Sequence, residues 1–322
     1  MRSGRGAVAA VALLAVIAVT FAACGAEEGY MGKYYGSDTK IEDVKNDPVF
    51  GDYGRLIFPS DRYYDGTTLG DLRMLWYYRS DPAETVRIAD RMREEAASGM
   101  QIFYDIYTDA EKSLDPTKED TGLFFFRGRA GAPFAIVCAG GGWAYVAAMQ
   151  DSFPQAQELS EEGFNAFAVI YRPGPRTAYE DLARAISFVF SHAEELGVST
   201  DGYSLWGGSA GARMAAALGS YGAAAFGGDD VPGPSAVVMQ YTGHSDYNPE
   251  GEPPTFACVG DRDHIADADV MRARIDALDR MGVPTEFHVY RDMGHGFGPG
   301  IGAAAEGWFD RAVEFWKAHG GA

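Results

Sequence analysis

From Phe134 onward the sequence carries short apolar runs at near-regular intervals: FAIVCA, AFAVIY, YSLW, AVVMQY, TFACVG and TEFHVY. Runs this short and this uniformly apolar read as strands buried on both faces. Helix-period segments stand between most of them. Phe153 to Gly163 is one, and Tyr179 to Leu196 another, with Leu182, Ala185, Ile186, Val189 and Ala193 on one face. A third passes through Met271, Ile275 and Leu278 to Gly282, and a last runs from about Ala304 to His319. Alternation of this kind requires right-handed crossovers and an α/β architecture: a mostly parallel twisted sheet with helices on both faces. Ahead of it, IFYDIYT and TGLFFFRG read as an antiparallel pair joined by a charged, Pro-containing loop.

One junction in this pattern is unusually tight. In SLWGGSAGARMA a strand ends at Trp206 and a helix starts near Ala210, so the chain must reverse within a few atoms. Large Cβ substituents there would collide with the neighbouring strand and helix. Gly207, Gly208 and Gly211 remove those collisions and push Ser209 into an exposed, strained position above the sheet edge. A bare G-x-S-x-G also suits a turn with an N-capping serine. A strand before it and a helix after it point instead to a nucleophile elbow.

With that motif in that context, the stretch from about Ile102 to His319 resembles the α/β-hydrolase family, in particular its esterases with a Gly-rich oxyanion loop. The resemblance implies a chain order of serine, acid, histidine. RDMGHGFG, just after the run TEFHVY, puts His295 where the family carries its catalytic base. The orienting acid falls in TFACVGDRDHIAD, where Asp263 matches the family position better than its rival Asp261. The other histidines (His192, His244, His264, His288 and His319) read as structural or solvated. CAGGGW, after the run FAIVCA, resembles the family's HGGGW loop, with Ala139 where the histidine stands. By that likeness the N–H groups of Gly141, Gly142 and Ala210 would face a developing oxyanion. The implied mechanism is acyl transfer to Ser209, and it calls for no metal or organic cofactor.

Composition sets the surroundings. The 322 residues allow one large α/β domain or two ordinary ones, and 47% apolar content is ample for a core. The leader begins with Arg2 and Arg5, runs almost wholly small and apolar from Ala7 to Ala23, and reads as a secretory signal over 1–23. TFAACG resembles the lipobox of bacterial lipoproteins, which implies lipidation of Cys24 and an anchor on the outer face of the cytoplasmic membrane; simple secretion is the alternative. Residues 24–46 read as a flexible tether. Residues 47–100 are aromatic-rich and contain a helix opening at Asp81-Pro82; they pack on the core or cap the site. Residues 101–322 form the catalytic domain. A net charge of −19, more negative still without the leader, disfavours nucleic acid and anionic membrane surfaces as partners. Cys138 and Cys258 lie inside strand-like runs and read as core residues.

The substrate is bounded only loosely. About ten residues, His244 to Pro254, separate AVVMQYTG from TFACVG, leaving no room for a large lid there. That favours a short acyl group such as acetyl, on a small-molecule or oligosaccharide ester. Trp143, Tyr145, Trp76 or Tyr77 could stack on sugar rings, although each singly reads better as core. Arg172 and Arg213 read as salt-bridge residues. The competing readings are a peptidase or an arylformamidase-type amidase of the same fold, and a non-catalytic surface-binding lipoprotein.

Overall fold

An eight-stranded sheet organises the computed structural model of this chain, which describes residues 34–74 and 81–321. The leader, Cys24, Trp76 and Tyr77 lie outside the described residues. The chain divides between Tyr34 and Tyr35, and all that follows concerns the unit from Tyr35 onward.

In chain order the elements are α1 (Ile41–Lys45), the hairpin strands β1 (Tyr64–Asp65) and β2 (Arg73–Met74), α2 (Pro82–Ala97), β3 (Phe103–Tyr104) and α3 (Asp109–Leu114). Then come β4 (Gly122–Phe126), β5 (Pro133–Cys138), α4 (Ser152–Glu161), β6 (Asn165–Ile170), α5 (Pro175–Ser191), α6 (Ala193–Leu196) and β7 (Ser199–Gly208). The last third holds α7 (Ala210–Tyr221), β8 (Ala236–Gln240), β9 (Thr255–Gly260), α8 (Ala268–Arg280), β10 (Thr285–Tyr290) and α9 (Trp308–Ala318).

The strand order is β10-β9-β8-β7-β5-β6-β4-β3. From β10 to β6 every pairing is parallel; β4 and β3 complete the sheet antiparallel, in the pairing expected for the two runs after Ile102. The chain leaves β5 for β6 on one side and returns to β7 on the other. The crevice beyond the carboxyl ends of β5 and β7 is therefore the topological switch point, where open α/β sheets bind ligands. α4 packs on β5 and β6, α7 on β7 and β8, and α8 on β9 and β10. Cys138 and Cys258 are buried and unbridged, as the apolar runs around them suggest.

Some element boundaries depart from expectation. The body begins before residue 47: α1 buries Ile41 and Val44, and Tyr35 Oη donates to Asp47 at 2.8 Å, so residues 35–46 are packed rather than tethering. The helix expected from Tyr179 starts a turn earlier, because Pro175 suits the first helical position, and it breaks at His192 into α5 and α6. The last helix starts at Trp308, behind Gly307 in a left-handed conformation (φ 79°). Within 47–100, Phe50, Leu56, Ile57, Phe58, Ile88 and Met92 join the main core. This segment also touches the loop after β5: Ser60 Oγ accepts the Val146 N–H at 2.9 Å.

Candidate active site

The elbow has the strain its sequence implies. Ser209 sits at φ 53°, ψ −115°, a conformation a side chain with a Cβ adopts only when its surroundings impose it. Its N–H is held by Gln240 O on the neighbouring strand at 3.0 Å. A Cβ on Gly207 would strike the Gly211 backbone, and one on Gly211 would strike the Cys138 carbonyl. The two glycines thus let β7, α7 and the end of β5 close on one another. Ser209 itself stays partly exposed at the start of α7, whose N-terminal dipole favours negative charge there.

Three of the expected side chains come together. His295 Nε2 lies 2.9 Å from Ser209 Oγ, and His295 Nδ1 lies 2.8 Å from Asp263 Oδ2. The Asp263 side chain is fully buried and that of His295 is 4% exposed. Two backbone bonds join the loops that carry them, Asp261 N–H to Tyr290 O at 2.9 Å and Arg262 N–H to Met293 O at 3.0 Å. Asp263 Oδ1 meanwhile accepts the N–H groups of Ile265 and Ala266, at 2.8 and 2.7 Å, so one oxygen is fixed and the other faces the imidazole. The rival Asp261 is exposed and turns away, accepting Asp292 N–H at 2.6 Å.

The loop after β5 starts at the neighbouring strand end, where Gly211 of the elbow packs on the Cys138 and Ala139 carbonyls. Gly141 (φ 144°) and Gly142 (φ 57°) are left-handed, and a Cβ on Gly141 would strike the Tyr145 carbonyl. Among the described residues no acceptor meets the N–H of Gly141, Gly142 or Ala210. For Ala210 this follows from its place at the first helical position. Unclaimed N–H groups can take a developing oxyanion where they lie within reach of it.

Other groups brace the loop that lacks a histidine at Ala139. Tyr171 Oη donates to Ala139 O at 2.7 Å, and Trp143 O accepts Gly174 N–H at 2.8 Å. Asp151 Oδ2 accepts Gly140 N–H at 2.6 Å. Of these supports, the sequence reading found none. Asp151 stands at the head of α4 in MQDSFP and looks like a helix cap, yet its side chain caps nothing.

The aromatic candidates separate. Tyr145 is buried with its ring 4.7 Å from Tyr63, so it serves packing. Trp143 holds a left-handed conformation (φ 67°) and meets Tyr179 edge-on at 5.5 Å. Tyr179 in turn lines a cleft of about 770 Å³ with Tyr107 and Phe226. A second cleft, of about 380 Å³, lies between Ser60, Arg62, Ala144, Val146 and Tyr171. Arg172 is a salt-bridge residue, 2.7 Å from both Asp181 and Asp115. Arg213 instead donates to the Gly243 carbonyl at 3.1 Å. His288 pairs with Glu286, and His192 bonds the carbonyl of Phe188. Burial drives the pKa of His244 down to about 4, which keeps it neutral. Among the described residues no three His, Cys, Asp or Glu side chains converge as metal ligands, and no helix is long and apolar enough to cross a membrane.

This combination of sheet order, elbow and loop defines an α/β-hydrolase fold. Residues 127–233 match the family model described as BD-FAE. An acetyl ester-xyloside bifunctional hydrolase from Caldicellulosiruptor lactoaceticus superposes with a TM-score of 0.57 at 20% identity, covering 67% of this chain and 95% of its own. A thermophilic esterase from Thermogutta terrifontis, seen with propionate bound, gives 0.53 at 23% identity over 62% of this chain and 89% of its own. MGS-M1, an alpha/beta hydrolase from a Medee basin deep-sea metagenome library, gives 0.53 at 20% identity over 62% and 92%. No curated protein matches the chain.

Proposed function

We propose that this protein is a serine esterase that cleaves short acyl esters, acetyl esters above all, carbohydrate esters among them. The observation that carries the proposal is the unbroken hydrogen-bonded chain from Asp263 through His295 to Ser209. In this reading Ser209 Oγ attacks the ester carbonyl while His295 Nε2 takes its proton. Asp263 holds the imidazole in the required tautomer and stabilises the imidazolium. Gly141, Gly142 and Ala210 donate to the tetrahedral oxyanion. The protonated His295 gives its proton to the leaving alcohol, and an acyl-enzyme remains. Water, deprotonated by His295, then releases the acid.

The short His244–Pro254 connection supports a small acyl group, and the likeness to the Caldicellulosiruptor acetyl ester-xyloside hydrolase and the Thermogutta esterase supports the bond type. We further propose export by residues 1–23 and anchoring through a lipid on Cys24. Loss of labelled-lipid incorporation in Cys24→Ser would be the expected result, and unchanged membrane association would sink the anchor.

The test of activity is hydrolysis of p-nitrophenyl acetate, butyrate and decanoate beside Ser209→Ala. Turnover should favour acetate and fall by about 10⁴-fold or more in the variant. Rates equal in the two proteins would overturn the proposal and pass attention to formamide and peptide substrates.

A further inference from the structure

Asp151 is a fully buried acid at the site that the reaction above leaves without a task. Its carboxylate bonds the oxyanion loop directly and reaches the other parts of the machinery through Tyr241 and Gln155. Oδ2 accepts Gly140 N–H, at the root of the oxyanion loop, at 2.6 Å. Oδ1 accepts the Tyr241 hydroxyl at 2.9 Å, and the Tyr241 ring stands 5.1 Å from the His295 ring, edge to face. Gln155 donates to Oδ1 at 3.1 Å and also reaches Oε1 of Gln240, at 2.8 Å, whose backbone carbonyl holds Ser209 N–H. The elbow makes room for this group. A Cβ on Gly208 would lie 2.6 and 2.7 Å from its two oxygens, so the glycine before the nucleophile is also the one that admits the carboxylate. Tyr241, like Ser209, is held at positive φ (33°) to present its hydroxyl here.

We propose that Asp151 is a positioning residue for the Ser209 reaction: ionised, it fixes the oxyanion loop at Gly140 and the Tyr241 ring against His295, and its charge favours the imidazolium formed during proton transfer. The inference rests on the serine-esterase reading. The titratable groups around Asp151 are Cys138 at the end of β5, Tyr171 after β6, Tyr241 after β8 and His295 after β10. Burial raises Cys138, Tyr171 and Tyr241, so all three are neutral while the enzyme works. His295 is then the remaining charge-bearing group beside Asp151. Burial pushes the Asp151 carboxyl up to about 6, and the Gly140 N–H, the Tyr241 hydroxyl and the His295 charge oppose the rise. The group is therefore ionised from neutral pH upward.

The test is the pH profile of p-nitrophenyl acetate hydrolysis for the whole protein, Asp151→Asn and Tyr241→Phe, with thermal melts of each. Asp151→Asn keeps the shape and removes the charge. Its kcat should fall about 10- to 100-fold, less than for loss of an oxyanion donor itself, with KM within about threefold. With the negative charge gone, His295 loses its proton more readily, so the acid limb of kcat/KM should move down by roughly one pH unit. Tyr241→Phe removes a donor from Asp151, which then protonates at higher pH, so its acid limb should move up. A residue that only packs would leave both limbs in place. If the wild type is active and neither variant shifts its limb, this inference falls and the esterase reading stands. If Asp151→Asn does not fold, an unmoved limb in Tyr241→Phe decides against it alone. If wild type and Ser209→Ala are equally inactive, the esterase reading falls, and this one with it.

Discussion

Two of the places where this molecule buries carboxylates give them opposite company. At the carboxyl ends of the strands, Asp263 meets two backbone N–H groups and an imidazole, and Asp151 meets an N–H, a hydroxyl and an amide. Where α2 packs on α4, buried Glu84 repels half-buried Glu158 through like charge. Glu84 has an arginine only at 3.7 Å, on Arg87 of its own helix. Burial first, then repulsion between neighbouring acids for Glu158, pushes both glutamates up to about 7. Burial alone therefore does not set what a carboxylate does. The donors around it decide whether it is kept charged as a working part or becomes a proton acceptor that weakens the fold once ionised.

The strongest way to break the comparison is at the site. Asp263→Asn should cut kcat for p-nitrophenyl acetate by roughly 10⁴-fold, because the amide supports the wrong tautomer of His295. Asp261→Asn, which removes an exposed loop contact, should stay within a few-fold. Equal effects in the two variants would mean that Asp263 does not orient His295.

A second, smaller effect tests a third kind of company. The Glu252 side chain is wholly buried and lies 2.9 Å from Arg274, whose side chain is 1% exposed. Arg274→Ala would strand that charge and should cost about 3–5 kcal/mol, read from the denaturation midpoint. A loss below ~1 kcal/mol would show that water or a shift of the loop satisfies Glu252.

The smallest effect belongs to the α2–α4 seam. Both glutamates have folded-state pKa values raised from 4.5 to about 7. The stability this lends is therefore full below about pH 4.5 and lost as pH rises through 7. Glu158→Gln should raise stability at pH 8 by ~1–2 kcal/mol and flatten the slope between pH 5 and 8. A slope unchanged by the substitution would place the titration elsewhere.

Much of this was legible in the residues. The six apolar runs became β5 to β10, and SLWGGSAGARMA became the turn from β7 to α7 because its glycines allow a contact that larger residues forbid. His295 and Ser209 could be picked by their place after strands. The choice between Asp261 and Asp263 needed more, since both follow Gly260 within three residues. What separates them is which one receives the Ile265 and Ala266 N–H groups. Asp151 left no local signal at all. Two of its partners, Gly140 and Tyr241, come from the ends of different strands, β5 and β8, and no periodicity records a meeting of that kind. The tether was misjudged for a related reason: residues 35–46 are polar and charged, and it takes only Ile41 and Val44 to dock them.

Four non-glycine residues hold positive φ among the described residues, and three of them, Trp143, Ser209 and Tyr241, belong to the loops of this site. An engineer seeking a tougher catalyst would find these positions first, since glycine relaxes such a backbone. Relief at any of the three would trade turnover for durability. Thermostabilising libraries for this protein are better drawn from the α2–α4 seam, where the repulsion between acids serves no chemistry.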